Sequence, residues 1–241
     1  MGKSVLAIIS ESAPPSTVSR LQRSFVTILL PADPLLAPPV ASHPDMLMTV
    51  IDNTLYCHQN YYTTASAQID AITAMCHLRL VCTTGPRGPE YPGDVGLNTL
   101  VLQDRQKLIA RQASLATELL PYLAADTKQG YAGCSSLYIK GTILTADPSI
   151  CQAAEKLGIH VYALPSGEIL LPGYNTGLIG GCGGIWDNTV YLYGKTGSCA
   201  PGRALKQFCH ETNIPIVELI NAPLSDYGGI QFIEIKKALY I

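Results

Sequence analysis

The same order of features recurs along the chain. A short polar or glycine-bearing stretch is followed by a strand, a tight turn and a second strand, then in most cases by a helix and a strand leading to the next polar stretch. A block of about 45 residues repeated in this way cannot bury its apolar face alone, so successive copies must stack against one another. In the second copy, SHPD (Ser42 to Asp45) precedes MLMTVIDNTLYC, where Asp52-Asn53 turns the chain between two apolar runs, and residues 59–81 predict a helix and a strand. In the third, YPGDVGLN (Tyr91 to Asn98) precedes TLVLQDRQKLIA, whose polar centre Gln103 to Gln106 is a turn, and SLATELLPYL predicts a short helix. The fourth runs from QGYAGCS (Gln129 to Ser135) through SLYIKGTILTAD, with Lys140-Gly141 as the turn. It continues into a helix over Pro148 to Leu157, capped by Asp147 and stopped by Gly158, and the strand HVYAL. The fifth matches it: GYNTGLIGGCGG (Gly173 to Gly184), IWDNTVYLYG with Asp187-Asn188 in the turn, a helix near Pro201 to Glu211, and the strand IPIVELI.

The last polar stretch, NAPLSDYGG (Asn221 to Gly229), is followed by a single strand, IQFIEI. Its missing companions lie at the other terminus, where SVLAIIS, a helix around Ser16 to Ser24 and FVTILL are found. Pairing the C-terminal strand with the N-terminal one completes the first block and leaves no exposed edge, as circular repeat folds require. The expected architecture is therefore an α/β fold, a five-bladed α/β propeller of ββαβ repeats in one domain over residues 1–241. Leu30 to Val40, with prolines at 31, 34, 38 and 39, reads as an extended connection.

Charged residues make up only 14% of the chain, against roughly 25% in an average soluble protein, and the net charge is -2. No electrostatic footprint for nucleic acid or an anionic membrane results. The apolar run Val5 to Ile9 is too short for a signal-peptide core and no run reaches membrane-spanning length, so a cytoplasmic protein is expected. Its eight cysteines are then reduced rather than a disulfide framework. The dipeptides Cys57-His58, Cys76-His77 and Cys209-His210 are poor chelates, because neighbours on a strand face opposite sides, and neither a metal nor a cofactor is expected.

In a ring of such blocks the stretch ahead of each hairpin falls near the axis. Asp45, Asp94 with Asn98, Cys134, Cys182, and Asp226 with Gly228-Gly229 should therefore converge, and the glycines of GLIGGCGG would let one backbone pass close to others. A dinucleotide fingerprint would place a helix after Gly184, where a hairpin is predicted instead, and MGKS at Met1 lacks the upstream glycine of a phosphate loop. HPD at His43 also marks a chaperone-recruiting helical domain, but there it sits between two helices. Cys134 and Cys182 each admit two readings, packed core thiol or nucleophile, while His43, in a polar loop, is a candidate proton carrier. Asp226 is a candidate cation ligand or a turn cap. Cys57, Cys76, Cys82, Cys151, Cys199 and Cys209 read as structural.

SHPD, YPGDVGLN, QGYAGCS, LPGYNTGLIGGCGG and APLSDYGGI resemble a bacterial branch of the penteins, the guanidino-group-modifying enzymes that include arginine deiminase, dimethylargininase and amidinotransferases. The resemblance covers almost the whole chain and implies the five-bladed α/β propeller. It also implies a cysteine nucleophile in the closing block, a histidine in the fourth, and carboxylates that grip a guanidinium. Here the closing block reads PLSDYGG, without cysteine, and the fourth-block position falls around Cys134, without histidine. Either the constellation is permuted around the axis or the pocket binds without cleaving.

Two functions follow. In the first, a thiolate from Cys134 or Cys182 attacks an amidine-like carbon, His43 moves protons, and Asp45, Asp94, Asn98 and Asp226 hold a small cationic guanidino or amidino compound, giving a hydrolase or amidinotransferase. Cys134 is the first choice of thiol because Tyr131 and Ser135 make its setting more polar. In the second, the protein is a non-catalytic binding or scaffold protein, as is the ribosome-associated initiation factor that shares the propeller. The expected partner is a small cation, with no nucleic acid and no membrane, and a homodimer is left open.

Overall fold

The computed structural model describes residues 4–85 and 87–236. Met1 to Lys3 of the rejected phosphate-loop motif, and the ends of the 1–241 span, lie outside the described residues. The N-terminal block contains β1 (Val5–Ser10), α1 (Pro15–Leu21) and β2 (Val26–Leu30). A one-turn helix α2 (Pro44–Leu47) leads into β3 (Met48–Ile51) and β4 (Thr54–His58), then α3 (Gln59–Cys76) and β5 (Arg79–Thr83). The third block holds β6 (Leu100–Leu102), β7 (Lys107–Ala110) and β8 (Leu123–Asp126). The fourth holds β9 (Ser136–Ile139), β10 (Thr142–Thr145), α4 (Pro148–Lys156) and β11 (His160–Ala163). The fifth holds β12 (Gly183–Trp186), β13 (Thr189–Leu192), α5 (Ala200–Glu211) and β14 (Ile216–Glu218), and β15 (Gln231–Glu234) follows.

These strands form five three-stranded sheets with one shared pattern: the first strand antiparallel to the second, and the second parallel to the third. The N-terminal sheet obeys it only because β15 supplies its first strand, running antiparallel to β1 with Val5 opposite Glu234. Five sheets of one pattern fit a pseudo-fivefold repeat. The turn chemistry is as the sequence predicts. Asp52-Asn53, Lys140-Gly141 and Asp187-Asn188 each carry two successive positive φ angles, 48° and 55°, 47° and 77°, and 47° and 56°, the backbone that matches the twist of a two-residue hairpin.

The Asp147 carboxylate accepts from Ser149 N at 2.8 Å and Ile150 N at 3.1 Å, and Gly158 leaves the end of α4 at φ 64°. A cap of this kind is worth about 1 kcal/mol. The third block departs from expectation. SLATELLPYL forms no α-helix but a 3₁₀ turn over Thr117–Tyr122, following a separate one at Gln112–Ser114, because Pro121 removes the N–H an α-helix would need there. The proline-rich connection is not extended throughout: a turn closed by Leu36 N to Asp33 O at 3.1 Å is followed by a 3₁₀ turn over Pro38–Val40, whose first positions need no amide donor.

Backbone and side-chain hydrogen bonds join the stretches ahead of the first strands into a closed circuit. Asp45 N donates to Gly228 O at 3.2 Å, Gly229 N to Gly181 O at 2.9 Å, and Gly180 N to Cys134 O at 2.6 Å. From there Cys134 N donates to Asn98 Oδ1 at 3.2 Å, and Thr49 Oγ1 to Leu97 O at 2.6 Å returns to the second block. The site is built at this circuit.

Candidate functional site

His43 stands just before α2 in an extended conformation that the following proline favours, and Pro44 starts the single turn that carries Asp45 inward. Asn98 precedes β6, and Cys134 lies in a turn closed by Ser135 N to Tyr131 O at 2.9 Å. Asp226 is fixed by its own amide on Leu170 O and by two amides on its carboxylate, Leu178 N at 2.9 Å and Gly228 N at 3.0 Å. The glycines of GLIGGCGG make room for this. A Cβ on Gly177 would lie 2.6 Å from Asp226 Cβ, and one on Gly180 would meet Ser136 O at 2.5 Å.

The thiol of Cys134 donates to Asp45 Oδ2 at 2.8 Å and receives the Asn98 amide at 3.0 Å. All three side chains are buried. Asp45 Oδ1 has no hydrogen-bond partner. Burial and the nearby Asp226 charge push the Asp45 carboxyl well above its usual range, and burial with Asp45 pushes the Cys134 thiol up too. The thiol therefore keeps its proton, donated to Asp45 Oδ2, and Cys134 is a neutral thiol at rest. Burial likewise lifts Asp226 to about 6 and lowers His43 to about 4. His43 is thus a neutral imidazole at pH 7, with its Nδ1 3.7 Å from Asp226 Oδ1. Among the described residues no Lys or Arg pairs with Asp45 or Asp226.

His43, Cys134 and Asp226 line one cavity of about 220 Å³. Tyr131, Tyr174, Gln129 and Thr176 complete its polar wall. On the opposite side, Asp45 borders a smaller cavity of about 140 Å³ among Gly180, Gly183, Gly184 and Gly229.

Three expectations need correction. Asp94 does not join the axial acids: its Oδ2 accepts from Tyr131 Oη at 2.7 Å and it lines a separate cavity with Arg87 and His58. Asp94 instead shares the wall of that separate cavity with Arg87, which the spacing of YPGDVGLN alone did not reveal. Cys182 lies outside the axial cavity; its thiol packs among apolar side chains and donates to Leu178 O at 3.3 Å, one turn back on its own chain. Burial, the Asp226 charge and Cys199 all push it up. His43 pairs with Asp226 and not with a thiol, since the turn at Pro44 points Asp45 rather than the imidazole at Cys134. Tyr174, in the loop after the fourth block, was missed because an exposed tyrosine in GYNTG carries no periodic signal. Asp33 and Arg87, an ion pair at 3.0 Å, were also missed, although a buried charge pair is conspicuous in a chain so poor in charge.

Among the described residues no three His, Cys, Asp or Glu side chains are grouped to hold a metal ion. Nor is any described helix long and apolar enough to cross a membrane. Residues 8–231 match a family described as a family of unknown function, DUF6873. No curated protein matches the chain. Among solved structures, SxtG, an amidinotransferase of the saxitoxin biosynthetic pathway from Microseira wollei, is similar at a TM-score of 0.50 and 10% identity, over 97% of this chain and 94% of that one. At that identity the likeness concerns the fold, which is amidinotransferase-like.

Proposed function

Because the chain belongs to the family of unknown function DUF6873, its chemistry has to be read from its own axial cluster, and we propose that this cluster binds a small amidinium or guanidinium compound and attacks it through Cys134. The observation that carries the reading is the Cys134 thiol donating to Asp45 beside a cavity shared with Asp226 and His43. Two buried carboxylates without a basic partner favour a cation, and a planar amidinium can donate paired hydrogen bonds to Asp226. Binding would hold Asp226 in its charged form.

Attack would form a bond between Sγ and the amidine carbon while the thiol proton passes to Asp45. The same proton then leaves on the departing amine as the C–N bond breaks. His43, held neutral, accepts a proton from the water or amine that releases the amidino group from sulfur, the first giving a hydrolase and the second an amidinotransferase. The surrounding five-sheet ring is read as an α/β propeller closed by β1 and β15. The likeness in fold to an amidinotransferase supports the chemistry but does not carry it.

Alkylation tests the reading. Cys134 should react faster with 2-chloroacetamidine than with neutral 2-chloroacetamide, relative to a free thiol at pH 7, and agmatine should protect it. Equal rates with both reagents overturn the amidinium site. Thermal stabilisation by agmatine or arginine without any labelling favours the non-catalytic binding protein, for which the absence of a His43 hydrogen bond to Cys134 is the relevant observation. Stabilisation by ATP or NAD alone overturns both.

A further inference from the structure

Asn98, the last residue of YPGDVGLN, is buried behind the thiol and borders neither of the two cavities beside the axial cluster. Its amide is held in one orientation. Oδ1 accepts from Gly133 N at 2.8 Å and from Cys134 N at 3.2 Å, and a backbone N–H can only donate, so these two bonds decide which end of the amide is oxygen. Both lone pairs of that oxygen are then in use. The amide nitrogen consequently faces two sulfurs, Cys134 Sγ at 3.0 Å and Met46 Sδ at 3.2 Å, with one N–H for each. Gly133 makes the approach possible, since a Cβ there would lie 3.2 Å from Asn98 Oδ1 and 2.7 Å from Thr99 O. Cys134 Sγ thus sits between a proton acceptor, Asp45 Oδ2 at 2.8 Å, and a fixed donor. Among the described residues no other hydrogen bond to this sulfur favours its charged form.

The geometry assigns Asn98 a catalytic role: its N–H holds the negative charge on Cys134 Sγ once the thiol proton has passed to Asp45, and its oxygen, already filled, takes no part in holding the cation. A neutral thiol is a weak acceptor and gains little from the amide, whereas a bond to a charged acceptor is about twice as strong, so the contact matters most after the proton has moved. In the attack the proton goes from Sγ to Asp45 Oδ2 and the electron pair stays on sulfur under the Asn98 N–H. The new bond from Sγ to the amidine carbon then uses that pair and neutralises the amidinium. This assignment rests on the proposed role of Cys134 as nucleophile, but not on what the nucleophile attacks.

Alkylation of the full chain by the neutral 2-chloroacetamide tests it, with the rate at Cys134 followed by peptide mass. Asn98→Ala removes the whole amide, while Asn98→Asp keeps an oxygen for the amides of Gly133 and Cys134 and loses the N–H. Losing a hydrogen bond to a charged group should cut the thiolate fraction about tenfold or more, and the less stabilised thiolate is more nucleophilic, which returns about half of that on a logarithmic scale. Both variants should therefore react about three- to tenfold more slowly at pH 7, with the rate–pH profile displaced to higher pH. Met46→Leu, which alters the packing and leaves Asn98 in place, should react as wild type does. A purely structural role predicts the reverse, since a loosened turn exposes the thiol: Asn98→Ala would react faster and Asn98→Asp would match wild type. That pattern, an equal slowing in Met46→Leu, or a wild-type Cys134 that does not react at all overturns the assignment; where Asn98→Ala fails to fold, Asn98→Asp decides. Equal wild-type rates with 2-chloroacetamidine and 2-chloroacetamide would remove the amidinium reading and leave the role of Asn98 standing.

Discussion

Cys134 and Cys182 occupy the same kind of place, each in a glycine-bearing turn ahead of the first strand of its block, yet they meet different chemistry. Cys134 follows Gly133 and sits between the Asp45 carboxylate and the Asn98 amide. Cys182 follows Gly181, and its sulfur finds only the carbonyl of Leu178 amid Val190, Leu192 and Leu205. The difference arises in the neighbours. Block two offers an acid to its neighbour across the axis, whereas the glycines ahead of Cys182 use their missing side chains to seat Asp226 and to press on the Cys134 turn. One stretch presents a thiol; the other gives up side chains so that the site can close.

The largest effect should come from removing that bareness. Gly180→Ala would drive a Cβ against Ser136 O at 2.5 Å and Cys134 O at 2.8 Å, backbone atoms that cannot swing away. A loss of about 4 kcal/mol or more is expected, enough to unfold a marginal domain. Gly197→Ala, with nothing within 4 Å, is the control and should change chemical denaturation midpoints by no more than about 0.5 kcal/mol equivalent. Equal tolerance at both positions would break the claim that the fifth stretch serves by close approach.

Much of this was legible in the sequence and some was not, for physical reasons. Hairpins announced themselves through Asp-Asn and Lys-Gly turns because few residues tolerate two positive φ angles in a row, and the pairing of β15 with β1 followed from an orphan strand at each end. That Asp45 and Cys134 would approach was readable from repeat position alone. Which side chain points at which was not. The one-turn helix at Pro44 rotates His43 toward Asp226, and Asp94 shares the wall of a separate cavity with Arg87; both depend on irregular backbone with no period to read. The helix expected within the irregular second-block segment 59–81 is present, while the third-block one failed at Pro121.

Exchanging the thiols separates them next. Cys134→Ala should abolish amidinium-directed labelling while the fold persists, because the substitution removes one small buried group and introduces no new charge beside Asp45. Cys182→Ala should keep the labelling and lose about 1–2 kcal/mol, the cost of a small void in a packed core. Labelling that follows Cys182 instead would invert the comparison.

The smallest effect is a difference in pH dependence between the two sides. Asp226, raised from 3.8 to about 6, contributes stability that is fully present below 3.8 and is lost as pH rises through 6. His43, lowered from 6.5 to about 4, contributes in the opposite sense: its stability is present above 6.5 and is lost as pH falls through 4. In the wild-type chain the two oppose each other between pH 4 and 6.5. Asp226→Asn removes that carboxyl and part of the upward push on Asp45, so its stability relative to wild type should fall on acidification, and His43→Asn should rise, each by on the order of 1 kcal/mol. Cys182→Ala touches neither group and should follow the wild-type curve at a constant offset. Parallel curves for Asp226→Asn and His43→Asn from urea titrations across this range would mean that the axial pair does not titrate as its burial requires, and the polar character assigned to the Cys134 side would fall with it.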